Sequence, residues 1–184
     1  MPRKLLYRQK LMKKYLTKHT KKKLKWLAYY QIAGGVLGIT LAFWIFLQTA
    51  KIAAIMLTIF SFITTLYLFS IYCGWQLLKG RIKKPLKLSL FNQVLQLISF
   101  SIAGFTYRFT AGIFLSIGIN YTNDLNLSFN FSLSQFQLNI NSNKEVATFN
   151  INLLAFYLIY FTNKLQEETK KEKLLSTQLN SLSS

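Results

Sequence analysis

The chain has 184 residues, 52% of them hydrophobic, and a net charge of +18. That length allows one domain, and so much apolar side chain beside so large a charge excludes an ordinary soluble globule. With one histidine, one cysteine and five carboxylates, no zinc site, carboxylate dyad or nucleophile set can be assembled from this chain alone. No glycine-rich phosphate loop occurs either, so the sequence predicts no enzyme, no metal and no cofactor.

Eleven of the 23 Lys and Arg residues precede Trp26. At 100° per residue Leu5, Leu11, Met12, Tyr15 and Leu16 fall in one arc, which predicts a basic amphipathic helix over 1–25 lying on an anionic inner leaflet. Lys4, Arg8, Lys13, Lys14, Lys21, Lys22 and Lys23 are the membrane-surface residues, each cation attracted by about 1 kcal/mol. No aromatic stacking platform or base-reading motif accompanies them, so nucleic acid is not an expected partner. A cleavable signal peptide would carry a shorter basic stretch, so the first span is expected to be retained.

Four stretches then contain no charged residue: Ala28 to Ala50, Ile52 to Leu78, Leu88 to Tyr107 and Val146 to Asn163. About 20 helical residues cross the hydrocarbon of a bilayer, so four transmembrane helices are expected, three within 26–104 and the fourth within 144–164. Five cationic residues lie from Lys79 to Lys87 and four after Asn163, whereas Lys51, Arg108 and Lys144 stand alone on the opposite flanks. This asymmetry places both termini in the cytoplasm of what reads as a bacterial inner membrane. Trp26, Tyr29 and Tyr30 at one end of the first two spans, with Tyr72 and Trp75, suit headgroup depth. Cys73 reads as a small buried hydrophobe.

Gly34 and Gly38 form a GxxxG pattern that permits close helix approach. In the third span Asn92, Gln96, Ser99 and Ala103 share one face, with the role of interhelical hydrogen bonding or, alternatively, of lining a path. Arg108 would sit inside an overlong third helix, so the helix is expected to end near Gly104.

Beyond that point the period becomes two. Phe105, Tyr107 and Phe109, then Ile113 to Ile119, then Leu125 to Leu133, then Phe136 to Ile140 predict a four-stranded antiparallel β-meander over 105–143, with a turn at Asn120 to Asp124. The expected fold class is therefore a membrane four-helix bundle with an extracytoplasmic β-meander between helices 3 and 4. Its apolar face needs cover, and Leu125, Leu127, Phe129, Phe131, Phe136 and Leu138 are the partner-binding residues. The Asn-x-Ser/Thr triplets at Asn120, Asn126 and Asn130 arise readily in such a ribbon and carry no weight. The tail over 165–184 continues the last helix on mixed charges before a Ser-rich end.

The functional expectation is a non-catalytic accessory or assembly subunit of a membrane complex, with membrane lipid and a protein partner or further copies of itself as partners. The alternative is a homo-oligomeric channel or pore-forming effector with the Asn92 and Gln96 stripe along its path.

Overall fold

The computed structural model describes residues 15–48, 54–122, 125–139 and 146–182. They form four helices and a six-stranded antiparallel sheet. Of the predicted positions, Lys4, Arg8, Lys13, Lys14, Lys51, Asp124, Ile140 and Lys144 lie outside the described residues.

Helix α1, Lys18–Leu47, starts at Thr17, whose hydroxyl accepts the Thr20 N–H at 3.2 Å. It runs unbroken through Trp26. The expected boundary between a surface helix ending at residue 25 and a separate span is absent there. No proline, glycine or capping side chain stands at that junction to stop the helix.

Helix α2, Ala54–Leu78, returns alongside α1. A Cβ added at Gly74 would meet Ala28, at Gly35 Ile71, and at Gly38 Tyr67, the descending order of an antiparallel hairpin. It closes at Gly80, φ 78°, where Gly80 N–H donates to Leu77 O and Arg81 N–H to Gln76 O, a Schellman turn. α1 and α2 are long and apolar enough to cross a membrane, by length and composition.

The third uncharged stretch departs from expectation. Helix α3, Lys83–Leu97, has only 15 residues, and at Ile98 the chain passes directly into strand β1, Ile98–Ile102. The sequence ISFSI explains the early switch, since alternation with β-branched and aromatic residues fits a pleated ladder better than a helix. The fourth stretch likewise opens as strand β6, Thr148–Asn152, before helix α4, Leu153–Leu182. Asn152 Oδ1 accepts the N–H groups of Leu154 and Ala155 at 3.1 and 3.3 Å. An Asn N-cap thus converts strand into helix without a loop. Two helices, rather than the expected four, are therefore candidates for spanning.

Between β1 and β6 lie β2, Phe105–Phe109; β3, Ile113–Asn120; β4, Asn126–Leu133; and β5, Phe136–Asn139. The expected change of period after Gly104 is present, but the sheet is not a four-stranded meander. Its order is β4-β3-β6-β1-β2-β5, because the helix-flanking strands β1 and β6 insert at its centre.

The register explains this order. Phe109 stands opposite Phe136, and Ile113 opposite Leu133, so residues 110–112 face only 134–135. β2 with β3 is one long bent strand, β4 with β5 is its partner, and the extra residue is a bulge that turns both. Thr110 N–H donates to Gln135 O at 2.8 Å and Ser134 N–H to Gly112 O at 2.6 Å across the corner. The outer strands β4 and β5 would lie about 24 Å apart in a flat sheet of six. Two residues join them, so the sheet coils on itself.

Two apolar clusters hold the layers together. Leu27, Leu77, Leu86, Leu158 and Leu165 join all four helices, while Tyr67, Phe109 and Ala111 join α2 to the sheet corner.

Candidate functional site

The bulged corner is seated against the middle of the helix hairpin. A bulge leaves backbone N–H groups without ladder partners, and burial makes each one costly unless it is satisfied. Here side chains satisfy them in turn: Ala111 N–H donates to Gln96 Oε1 at 2.9 Å, Gly112 N–H to Ser134 Oγ at 3.0 Å, and Ile113 N–H to Tyr30 Oη at 3.2 Å. Ser134 Oγ donates onward to Gly34 O at 3.0 Å. A Cβ on Gly34 would approach Ala111 O to 2.5 Å. The GxxxG pair thus has two uses: Gly34 admits the sheet corner and Gly38 admits the Tyr67 ring.

Asn92 and Gln96 are buried on α3. Asn92 Nδ2 donates to Ser70 Oγ at 3.1 Å and Ser70 Oγ donates to Gln31 O at 3.1 Å, so this stripe connects α3, α2 and α1. Ala103, the last member of that predicted face, lies instead in the β1–β2 turn.

The coiled sheet is inverted relative to a water-soluble one. Six of its buried positions are polar, Ser99 and Ser101 on β1, Thr106 on β2, Ser116 on β3, and Asn150 and Asn152 on β6, beside two buried aromatics, Phe109 at the corner and Phe114 on β3. Asn150 Oδ1 accepts from Ser128 Oγ and Asn130 Nδ2, both at 3.3 Å, tying β4 to β6 across β3. The alternate positions Ile98, Ile102, Ile113, Leu115, Ile117, Phe149 and Ile151 are exposed. On β4 the exposure reaches 69% at Leu127, 75% at Phe129 and 70% at Phe131. Leu125 is equally open, while Phe136 packs on Phe109 and Phe62 and Leu138 is half-buried. Of the six predicted partner-binding residues, Leu125, Leu127, Phe129 and Phe131 are thus exposed on β4 and its approach, whereas Phe136 packs within the fold.

Among the described residues the inner face bears one cation. Arg108 stands opposite Gln137 in the ladder, its guanidinium 5.3 Å from the centre of the Phe114 ring. Its Nε is buried without a hydrogen-bond partner among the described residues. A cavity of about 300 Å³ beside it is lined by Ser101, Thr106, Gln137, Asn139 and Thr148, with Phe100, Tyr107 and Val146 as an apolar wall. Sequence reading used Arg108 as a lone outer-flank cation and as the reason for ending the third helix. The alternation of Ser, Thr and Asn with apolar residues carried the signal for a polar interior, but left open which face turns inward.

At the opposite end Leu24, Ile82 and Leu165 pack in one cluster and bring the basic starts of α1 and α3 beside α4. Lys23 forms an ion pair with Glu168 at 2.7 Å. Glu172 accepts from Thr17 N–H at 2.9 Å, Thr17 Oγ1 at 2.9 Å and Thr20 Oγ1 at 2.7 Å. Burial of the Glu172 carboxyl works against its ionisation, but these hydrogen bonds and nearby His19 outweigh it and hold the pKa below its ordinary value. Of the predicted lipid-contacting lysines here, Lys22 is exposed, Lys21 is half-buried and Lys23 is engaged by Glu168.

Among the described residues no group of His, Cys, Asp or Glu could hold a metal ion. Comparison with family models, curated proteins and solved structures finds no match.

Proposed function

We propose that this protein is an integral membrane assembly subunit without catalytic activity, anchored by α1 and α2 and presenting its coiled sheet to a partner. One observation carries the reading: the outer face of the sheet and the outward sides of α1 and α2 are both apolar and exposed, and Phe62 of α2 meets Phe136 of β5 where helix and sheet adjoin. In water such a surface would be an aggregation liability far above the few hundred Å² that a soluble monomer leaves open. In a bilayer the same surface is solvated by acyl chains, and the polar groups belong inside.

Lengths support the reading. Residues 88–97 of α3 rise about 15 Å as helix and the five of β1 about 17 Å as strand, together about the 30 Å of a hydrocarbon core. The apolar opening of α4 with β6 gives the same sum. The third and fourth uncharged stretches then cross as half helix and half strand, the basic helical ends on the cytoplasmic side. The apolar β4 edge gives the partner surface, since a strand edge in lipid needs a backbone partner. A path along Asn92 and Gln96 is less supported, because both are buried within one chain, where Asn92 donates to Ser70 and Gln96 accepts from Ala111 N–H.

Alkaline carbonate extraction of membranes from expressing cells, followed by labelling of Thr122→Cys and Ser181→Cys with a membrane-impermeant maleimide, tests this. Retention in the pellet with labelling from outside only at position 122 is expected. Release into the supernatant, or labelling of 181 alone, refutes it.

A further inference from the structure

β4 pairs with β3 on one side and with no described strand on the other. From Leu127 to Leu133 its sequence reads the same in both directions about Asn130: Phe129 and Phe131 flank the centre, then Ser128 and Ser132, then Leu127 and Leu133. An antiparallel strand pair related by a two-fold axis sets residue i of one copy against the residue equally far beyond the centre on the other. A strand that is palindromic in this way is self-complementary at every position.

We propose that a second copy of this chain pairs antiparallel with β4 about a two-fold axis at Asn130. This rests on the proposed function and names its partner. Phe129 of each copy then faces Phe131 of the other on the outer side, where aromatic cross-strand pairs are favoured. Ser128 faces Ser132 on the polar side, and Asn130 faces its own counterpart, so apolar and polar faces both run on without interruption into a sheet of twelve strands.

Charge permits pairing at this edge. At +18 per chain two copies repel, yet residues 125–139 contain no Lys, Arg, Asp or Glu, and no proline or bulge lies within β4 to blunt it. Phe129 and Phe131, at 75% and 70% exposure, leave on the order of 300 Å² uncovered, as much as the whole apolar patch of an ordinary monomer. The pairing also extends an existing ladder, as β4 already matches β3 over all eight of its residues.

Disulfide trapping in intact membranes tests the register. In full-length protein carrying Cys73→Ala, single cysteines replace Asn130, Leu127 or Leu133, and oxidation is read on a non-reducing gel. Asn130→Cys should yield a crosslinked dimer on its own, since facing Cα atoms of an antiparallel pair lie within disulfide reach. Leu127→Cys alone and Leu133→Cys alone, each about 20 Å from its own copy, should give less than a tenth of that yield. The two coexpressed with different tags should crosslink to each other. Equal yields at all three sites, or none at 130, overturn the proposal. Native mass spectrometry of the detergent-purified protein adds a second reading: dimer for the unmodified chain and monomer for Asn130→Asp, which sets two like charges face to face. A monomer in both overturns the proposal even if carbonate extraction upholds the membrane reading.

Discussion

Ala103 and Gly104 turn β1 back into β2 with φ angles of 51° and 84°. Both central residues are left-handed, as a two-residue hairpin requires, and Asn-Gly suits such a turn far better than Ala-Gly. An L-alanine held there costs about 1–2 kcal/mol, so Ala103→Asn should raise the thermal unfolding midpoint in detergent by about 2–4 °C; a fall would show that the turn conformation is wrong. Gly34 obeys the opposite constraint. Its backbone is ordinary helix, but the added methyl of Gly34→Ala would lie 2.5 Å from the Ala111 carbonyl oxygen. The corner must then move off Tyr30 and Ser134, with an expected loss of about 1–3 kcal/mol. Unfolding of Gly34→Ala at the same temperature as the parent would remove the corner from its seat on α1.

At the scale of elements, the start of α1 depends on the far half of α4. Glu172 accepts both the N–H and the hydroxyl of Thr17 and the hydroxyl of Thr20, so a carboxylate on one helix satisfies the amino end of another, where negative charge is also favoured by the helix dipole. Because the folded pKa of Glu172 lies below its ordinary value of 4.5, its contribution to stability is complete above that value. It is lost as pH falls through the lower folded pKa. Glu172→Gln should therefore be less stable than the parent near neutral pH and equal to it in strong acid; a constant difference across the range would exclude this clamp. None of these pairings could be read from sequence, since Thr17 and Glu172 are 155 positions apart. Uncharged runs of spanning length announced α1 and α2, and the change of period announced the extended chain beyond Gly104. Run length failed at Ile98–Ile102 and Thr148–Asn152, where uncharged stretches of spanning length divide between helix and strand. Composition alone marks both halves as apolar, and only the alternation in ISFSI and TFNIN betrays the change. The insertion of β1 and β6 between β2 and β3 depends on a bulge at 110–112, and a single unpaired residue leaves no periodic trace.

At the scale of the whole molecule, one substitution on the outer face of the sheet reports which medium surrounds it. Leu115 is 46% exposed on β3, opposite Phe131 of β4 in the ladder. If its face met water, Leu115→Lys would change stability by no more than about 0.5 kcal/mol, as exposed substitutions do. Facing acyl chains, the same lysine loses its hydration, and strands of membrane barrels give about 2–4 kcal/mol for this at mid-depth, less toward the interface. Ser116, the next residue, faces inward with a buried hydroxyl, so Ser116→Ala should be nearly neutral in either medium. Urea unfolding in lipid vesicles, compared across the two variants and the parent, is expected to show a large loss for Leu115→Lys and almost none for Ser116→Ala. A neutral Leu115→Lys would mean that the outer face is wet. The half-helix, half-strand crossings would then fall with it, leaving only α1 and α2 to hold the chain in a membrane.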